Sequence, residues 1–410
     1  MIRRAFLLLT ATIALAACAG ANSTRPAAFG PRINRGNLST AVPPGRSVAI
    51  LAPLTGPNAE RGASLVKAAE LALAEPGSPK LIVQDTGGTA AGAAGAAKAA
   101  IAAGAGIIIG PLTAGETAAV AAVAQPAGVP VLAFTSDPAQ ARSGVWTLGL
   151  TPGQQVNRLV SAMAAQGRTR FAALLPSNEF GRAMGDALGQ AASAASLPAP
   201  KIQTYAPGNS YAAARDLSNY TARRAARDAE VKAAQETNDN DRVAELSHIP
   251  LAGPPFEVLL LAEYGAPLAS LTSGMQSFDI GPQNVRVVGP ALWSAPAARG
   301  GAAITGGYYA APDPALRNGF DTKYTAATGS AAPGLADFAF DAAAIAKVLF
   351  KGEGYSVAAL CRPEGFAGVD GVLALQPDGS VRRGLALFQI KRGGPEMIEP
   401  APETTASPGI

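Results

Sequence analysis

Four hydroxyl side chains, Thr55, Thr113, Thr135 and Ser136, each follow a short apolar run, and two aromatic ones, Tyr264 and Trp293, do the same further along the chain. Hydroxyls beside backbone N–H groups at helix N-termini can hold a small polar ligand through directed hydrogen bonds. Aromatic rings supply a flat wall with a polar edge. The same residue types have plainer uses: threonine and serine cap helices, and tyrosine or tryptophan packs between lobes. Taken singly, each hydroxyl reads first as a cap. A third group, Arg223, Arg224 and Arg227, lies in a charged stretch with little to bury. The planar fork of arginine pairs carboxylates at two points, so this group suits docking to an acidic protein surface, or else a solvated helix laced by charge pairs.

Other chemistries have no footing. The single histidine, His248, stands in a polar stretch away from any nucleophile motif, so neither a Ser-His-Asp nor a Cys-His mechanism is expected. No His/Cys cluster has metal-ligand spacing, and the acidic run 237–241 lacks the glycine and terminal glutamate of a calcium loop. Without a P-loop or a G-x-G-x-x-G after the first strand, no nucleotide cofactor is implied. The chain is expected to be neither an enzyme nor a cofactor binder. Its formal charge of +4 falls to +2 if residues 1–17 leave with Arg3 and Arg4, which is no nucleic-acid footprint.

The candidate residues need elements to position them. Val48 to Leu51 reads as a strand buried on both faces, the Leu54–Pro57 segment as a loop, and Leu65, Ala69 and Ala72 as the apolar stripe of a helix. The plan repeats: strands at 80–84, 106–109 and 129–133 alternate with helices at 89–103 and 116–124, and a second series has strands at 170–175, 256–262 and 285–289. Strands and helices alternating at this length predict parallel sheets with helices on both faces, an α/β fold in two lobes. In such sheets ligands sit beyond the carboxyl ends of the strands. With 48% hydrophobic and 15% charged residues, 410 residues suffice for two cores. The expected division is a first lobe of 47–150 and 311–362 and a second of 151–310 and 363–392, the latter with a helical insertion at 208–250. Asp378-Gly379 marks a hairpin between 371–375 and 383–391, and the Pro- and Glu-rich tail 393–410 reads as disordered.

The Pro53-Leu54-Thr55-Gly56 loop, with Gly110-Pro111-Leu112-Thr113-Ala114-Gly115 and Val129 to Ser136 in that order and spacing, resembles the type I periplasmic binding proteins over residues 47–392. Ser177-Asn178-Glu179-Phe180-Gly181 resembles the D-x-x-Y-G loop of that family, with Phe180 in place of the tyrosine. Arg3 and Arg4 precede an apolar run, Ala5 to Ala17, of export-signal length, too short to span a bilayer. Leu15-Ala16-Ala17-Cys18 resembles a bacterial lipobox, which implies cleavage after residue 17 and acylation of Cys18. Residues 18–46 then form a flexible tether of roughly 30 Å typical span. By resemblance to sorted lipoproteins, Ala19 implies the outer membrane. With Cys18 acylated, Cys361 has no partner and reads most simply as a buried thiol.

Two functions fit this fold. One is a solute receptor for an amino acid or similar ligand that feeds a membrane transporter. Amino-acid receptors of the family hold the ligand ammonium with an acidic residue of the second lobe, and the matching loop here offers Leu292 and Trp293. The lipobox, the Asp337-Phe338-Ala339-Phe340-Asp341 block and the charged insertion together resemble the outer-membrane lipoprotein activators of penicillin-binding proteins. That resemblance implies a lipid-anchored protein whose partner is a peptidoglycan synthase. Unlike the best known of these activators, this chain has no helical-repeat segment before the binding fold.

Overall fold

The computed structural model describes residues 45–281, 284–300 and 304–404. The expected signal, Cys18 and the tether up to residue 44 lie outside these residues, as does 405–410 of the expected tail. Arg46, at the expected end of the tether, is pinned: its guanidinium lies 4.7 Å over the Phe350 ring and donates to the Phe350 carbonyl at 2.9 Å.

The first run of elements is β1 (Ser47–Ala52), α1 (Ala59–Ala72), β2 (Leu81–Asp85), α2 (Ala90–Ala102), β3 (Ala105–Ile109), α3 (Ala114–Ala124), β4 (Val131–Ala133) and β5 (Val145–Thr147). The strands form one parallel sheet in the order β2-β1-β3-β4-β5. Every residue of β3 and β4 is buried, as a parallel sheet covered on both faces requires. Thr89 caps α2 by accepting the Gly92 N–H, and Ala93, Ala96, Ala97 and Ala100 form the face that α2 lays on the sheet. Alanine lets that helix approach closely while losing no side-chain entropy.

The chain then forms α4 (Pro152–Ala165), β6 (Phe171–Pro176), α5 (Glu179–Ala194), β7 (Lys201–Tyr205), α6 (Ser210–Leu217), α7 (Tyr220–Glu236), α8 (Asn240–His248), β8 (Val258–Leu261), α9 (Gly265–Met275), β9 (Arg286–Gly289) and β10 (Tyr308–Ala311). It continues through α10 (Pro314–Thr328), α11 (Ala336–Lys351), α12 (Val357–Leu360), β11 (Phe366–Gly368), β12 (Gly371–Leu375), β13 (Val381–Arg383), β14 (Ala386–Lys391) and β15 (Gly394–Glu399). The second sheet has the order β15-β14-β10-β9-β8-β6-β7 and is parallel except at β14 and β15. One apolar cluster joins the first sheet to α1, α10 and α11, and another joins its opposite face to α2 and α3. The second sheet is likewise covered by α4 and α5 on one face and by α6 and α9 on the other.

Three expectations are corrected here. The Asp378-Gly379 turn does close a hairpin, but it pairs β12 with the short β13, and β14 leaves to pair with β10 in the second sheet. Residues 366–381, expected in the second lobe, form a small antiparallel sheet that buries Phe366, Val369, Leu373, Leu375 and Val381 in the core of the first. The tail is not a coil from 393 onward. Residues 394–399 form β15, an added edge strand on β14, and Glu399 pairs with the buried Arg158 at 2.7 Å.

The chain crosses between lobes at 148–151, 311–313 and 383–386. It leaves the first sheet from the carboxyl end of β5 and the second from the carboxyl end of β10, so those two ends adjoin. Side chains clamp the crossovers together. Arg383 Nη2 donates to the Leu148 carbonyl at 3.0 Å, Gln154 Nε2 to Val381 at 2.6 Å and Arg158 Nε to Leu385 at 2.8 Å.

Candidate binding site

The loops at the carboxyl end of the first sheet are held by two carboxylates. Asp85, at the end of β2, accepts the Leu54 N–H at 2.8 Å, the Thr55 hydroxyl at 2.7 Å and the Gly87 N–H at 2.8 Å. These donors, the Gly87 amide first, keep its carboxyl below the usual range. Glu116 is buried and accepts the Thr86 hydroxyl at 2.5 Å, the Thr113 N–H at 3.0 Å and the Thr113 hydroxyl at 2.7 Å. Thr113 and Glu116 therefore make a capping box on α3. Gly110, at φ +87°, brings the backbone so close to Leu51 that a Cβ there would lie 2.3 Å from its carbonyl oxygen.

This geometry places each first-lobe candidate. Thr55 is exposed, with its hydroxyl turned to Asp85. Thr113 is a cap. Thr135 is buried, and its hydroxyl accepts the Asp137 N–H at 3.1 Å. Ser136 beside it is exposed. The four hydroxyls share one rim, on three loops that adjoin in the sheet order, and of the four only the Ser136 hydroxyl makes no hydrogen bond to the described residues. Asp85 and Glu116, which organise the rim, were not among the expected site residues. The Thr-x-x-Glu spacing was the legible signal for Glu116.

The rim of the second lobe sets exposed apolar side chains beside the exposed polar residues Ser177, Asn178 and Glu179 of the loop after β6. Phe180, in the first turn of α5, meets Tyr264 edge-on at 6.5 Å between centroids. Tyr264 is 50% exposed and Leu292, after β9, is 46% exposed. Trp293 departs from the expectation of a cleft wall. It is wholly buried, donates its indole N–H to the Glu263 carbonyl at 2.9 Å and fills the space above Gly289, where a Cβ would lie 2.2 Å from its ring. The Glu263 carboxylate is engaged by the Tyr205 hydroxyl at 2.9 Å, and burial followed by that carboxylate pushes the phenol above its ordinary range. Glu179 lines a separate groove of about 680 Å³ between α5 and β7.

A family model described as periplasmic binding protein matches residues 47–395. The chain belongs to the periplasmic binding protein family. Among solved structures, a putative branched-chain amino acid ABC transporter protein from Rhodospirillum rubrum is 18% identical, with a TM-score of 0.63 over 86% of this chain and 99% of that one. The C-domain of LpoA from Haemophilus influenzae, described as a regulator of PBP1A, is 17% identical, with a TM-score of 0.58 over 86% and 99%. Full-length LpoA of that organism gives 16% identity and a TM-score of 0.59 over 87% of this chain, which spans 59% of its length. These likenesses establish the type I binding-protein fold, common to binding proteins and to a regulator. No curated protein sequence matches this one.

On this periplasmic binding protein fold the insertion is a crossover helix, α6, followed by the hairpin of α7 and α8. Ala214 and Leu217 of α6 are buried, and Tyr211 and Tyr220 pack edge-on against Phe278 at 4.6 and 5.3 Å. Beyond Tyr220 the hairpin stands largely in solvent, with Ala234 and Leu246 its buried residues. Two of the three docking arginines are turned inward. Arg223 donates to the carbonyls of Ser218, Ala252 and Phe278 and pairs with Asp279 at 3.1 Å. Arg227 donates to the carbonyls of Leu246, Ile249 and Pro250 at 2.6 to 2.9 Å. Arg224 alone is exposed, near the Tyr220 hydroxyl at 3.4 Å. The expected arginine docking face is thus mainly an internal brace.

Among the described residues no group of His, Cys, Asp and Glu is arranged to hold a metal, and no helix is long and apolar enough to cross a membrane. Cys361 is half-buried and unpaired, and burial pushes its thiol up, away from the reactive thiolate.

Proposed function

We propose that this chain is a non-enzymatic lipoprotein, anchored through Cys18 to the periplasmic face of the outer membrane, that binds a peptidoglycan synthase of the penicillin-binding protein class and promotes its activity. The observation that carries the reading is the second-lobe rim. Where an amino-acid receptor needs a carboxylate facing the ligand ammonium, the loops after β8 and β9 present Tyr264 and Leu292, with Phe180 against Tyr264, while the Glu263 carboxylate accepts from Tyr205 and the exposed Glu179 lines the groove between α5 and β7. Burying an ammonium against Tyr264 and Leu292 leaves its charge uncompensated. Exposed apolar side chains with polar groups beside them suit a protein partner, whose binding energy concentrates in buried aromatic and aliphatic anchors. The fold likeness to the LpoA C-domain is consistent with a protein partner of that kind.

A second reading, a solute receptor feeding a transporter, draws on the hydroxyls of the first rim and on the Rhodospirillum rubrum likeness. Calorimetry with a panel of free amino acids separates the two. The proposal expects no isotherm in the micromolar range, and a clear one restores the receptor.

A further inference from the structure

The strand β7 ends the second sheet on one side, and that side is open: Lys201, Ile202 and Thr204 are exposed, Ile202 at 44%. Along a strand the backbone groups of alternate residues point to opposite neighbours. The Tyr205 carbonyl accepts the Ser177 N–H at 2.9 Å on the β6 side, so 201, 203 and 205 face β6 while Ile202 and Thr204 turn their N–H and C=O groups outward. The Thr204 carbonyl accepts the Gln203 side-chain amide at 3.1 Å, a contact that a neighbouring strand can displace. Exposed edges are ordinarily blunted by a proline, a bulge or an outward lysine. β7 has no proline and pairs with β6 in unbroken register. The Lys201 amine is drawn back from the edge, to the Leu217 carbonyl at 3.2 Å and Asn219 Oδ1 at 3.0 Å.

Beside this edge runs the groove of about 680 Å³ between α5 and β7, floored by Leu175, Ile202 and Thr204. Two glycines of α5 bring the helix down over it. A Cβ at Gly181 would lie 2.1 Å from the Pro176 carbonyl oxygen, and one at Gly185 would lie 2.8 Å from Leu175 and 3.8 Å from Ile202. The charged side chains along the groove are Glu179, Arg182 and Asp186, all exposed, and two carboxylates against one guanidinium leave it net negative. Arg182 leans toward Glu179 at 4.0 Å, which leaves Asp186 with no ion pair among the described residues.

We propose that β7 and α5 form a docking groove for an extended, basic segment of a protein partner, taken up as an added strand on the second sheet. Its backbone pairs with the outward groups of Ile202 and Thr204, which gives affinity without regard to sequence. Its side chains sort by face. One aliphatic side chain lies against Ile202, and a lysine or arginine two residues away, on the same face of the added strand, meets the carboxylates of α5. The groove stays open whatever the cleft between the lobes takes up, so this docking holds with or without the proposed function.

The test uses two end-blocked, fluorescein-labelled peptides on the full chain, Ser-Lys-Thr-Val-Thr-Lys-Ser and its charge-reversed form Ser-Glu-Thr-Val-Thr-Glu-Ser. Both are palindromic, so either strand direction presents valine flanked by two charges on one face. The lysine peptide should bind in the micromolar range by fluorescence polarisation, and the glutamate peptide at least about tenfold more weakly. Thr204→Pro removes an outward N–H and touches no bond to β6, a place where an edge strand accepts proline. It should weaken the lysine peptide at least about tenfold with the melting temperature near that of the unsubstituted chain. Should Thr204→Pro not fold, Ile202→Lys, on the surface of the same edge, should give the same loss. Val83→Lys, on the exposed edge strand β2 of the first sheet, should leave binding unchanged. No binding at about 1 mM lysine peptide, equal binding of both peptides, or binding unaffected by Thr204→Pro and Ile202→Lys overturns the proposal. So does a dimer in analytical ultracentrifugation that Ile202→Lys dissolves, since the occupant of the edge is then a second copy of this chain.

Discussion

Trp293 donates its indole N–H to the Glu263 backbone carbonyl at 2.9 Å, which ties the loop after β9 to the loop after β8 from beneath. The residues left on the surface of these loops, Tyr264 and Leu292, are therefore presented by a buried strut. Trp293→Ala should cost about 3–5 kcal/mol in chemical denaturation, the range for truncating a buried large aromatic. Trp293→Phe should cost less, keeping most of the packing and losing the hydrogen bond. A near-neutral Trp293→Ala that weakens ligand or partner binding would instead return this residue to the cleft.

Arg223 and Arg227 brace the α7–α8 hairpin through backbone carbonyls, so their replacement should act on stability first. Arg223→Ala should lose at least about 1.5–3 kcal/mol, because its removal strips charge-assisted hydrogen bonds from partly buried carbonyls and unpairs Asp279. Arg224→Glu should leave the melting temperature unchanged. Thermal melts of the two single variants settle it, and equal melting temperatures would contradict the brace.

Buried carboxyl groups set an alkaline limit on stability. Desolvation raises Asp341 to about 7, against the opposing charge of Arg383 and the Val369 N–H, and Asp370 is raised in the same direction. For such groups the folded state binds the proton more tightly, so their contribution is complete below the unfolded value of about 4 and is lost as pH rises through about 7 and beyond. Asp85, Glu257 and Glu364 are lowered and act oppositely, contributing above about pH 4 and losing that contribution as pH falls through their folded values. The melting temperature should fall between pH 6 and 9, and Asp341→Asn should flatten that fall. A profile that is level from pH 6 to 9 in the unsubstituted protein would contradict the assignment.

Acylation at Cys18 is tested by fractionation. Cys18→Ser should release the protein from the membrane fraction or stall its processing, and outer-membrane recovery of that variant would end the lipoprotein reading.

The sheet plan was legible because buried parallel strands have no alternation to blur: Ala105–Ile109 is uniformly apolar, and its helices are bounded by Thr-x-x-Glu and Thr-x-x-Gln caps at Thr113 and Thr151. Contacts distant in sequence were not legible. Nothing near Trp293 distinguishes a wall from a core residue except Gly289, four residues earlier, which leaves the slot the indole fills. Arg223 and Arg227 stand four apart, a spacing at which like charges on a free helix repel; their carbonyl partners at 246–252 and 278 carry no charge, and the one charged partner, Asp279, lies 56 residues from Arg223. β15 is masked by proline and glutamate and forms because β14 offers an open edge and Arg158 awaits Glu399.

The most direct measurement is the glycan-polymerising rate of a purified penicillin-binding protein from the same envelope, titrated with this protein in its acylated form. The proposed function predicts a saturable rise in rate as the protein approaches equimolar ratio, with binding that survives removal of free amino acids. An unchanged rate with no detectable complex at micromolar concentrations would contradict it.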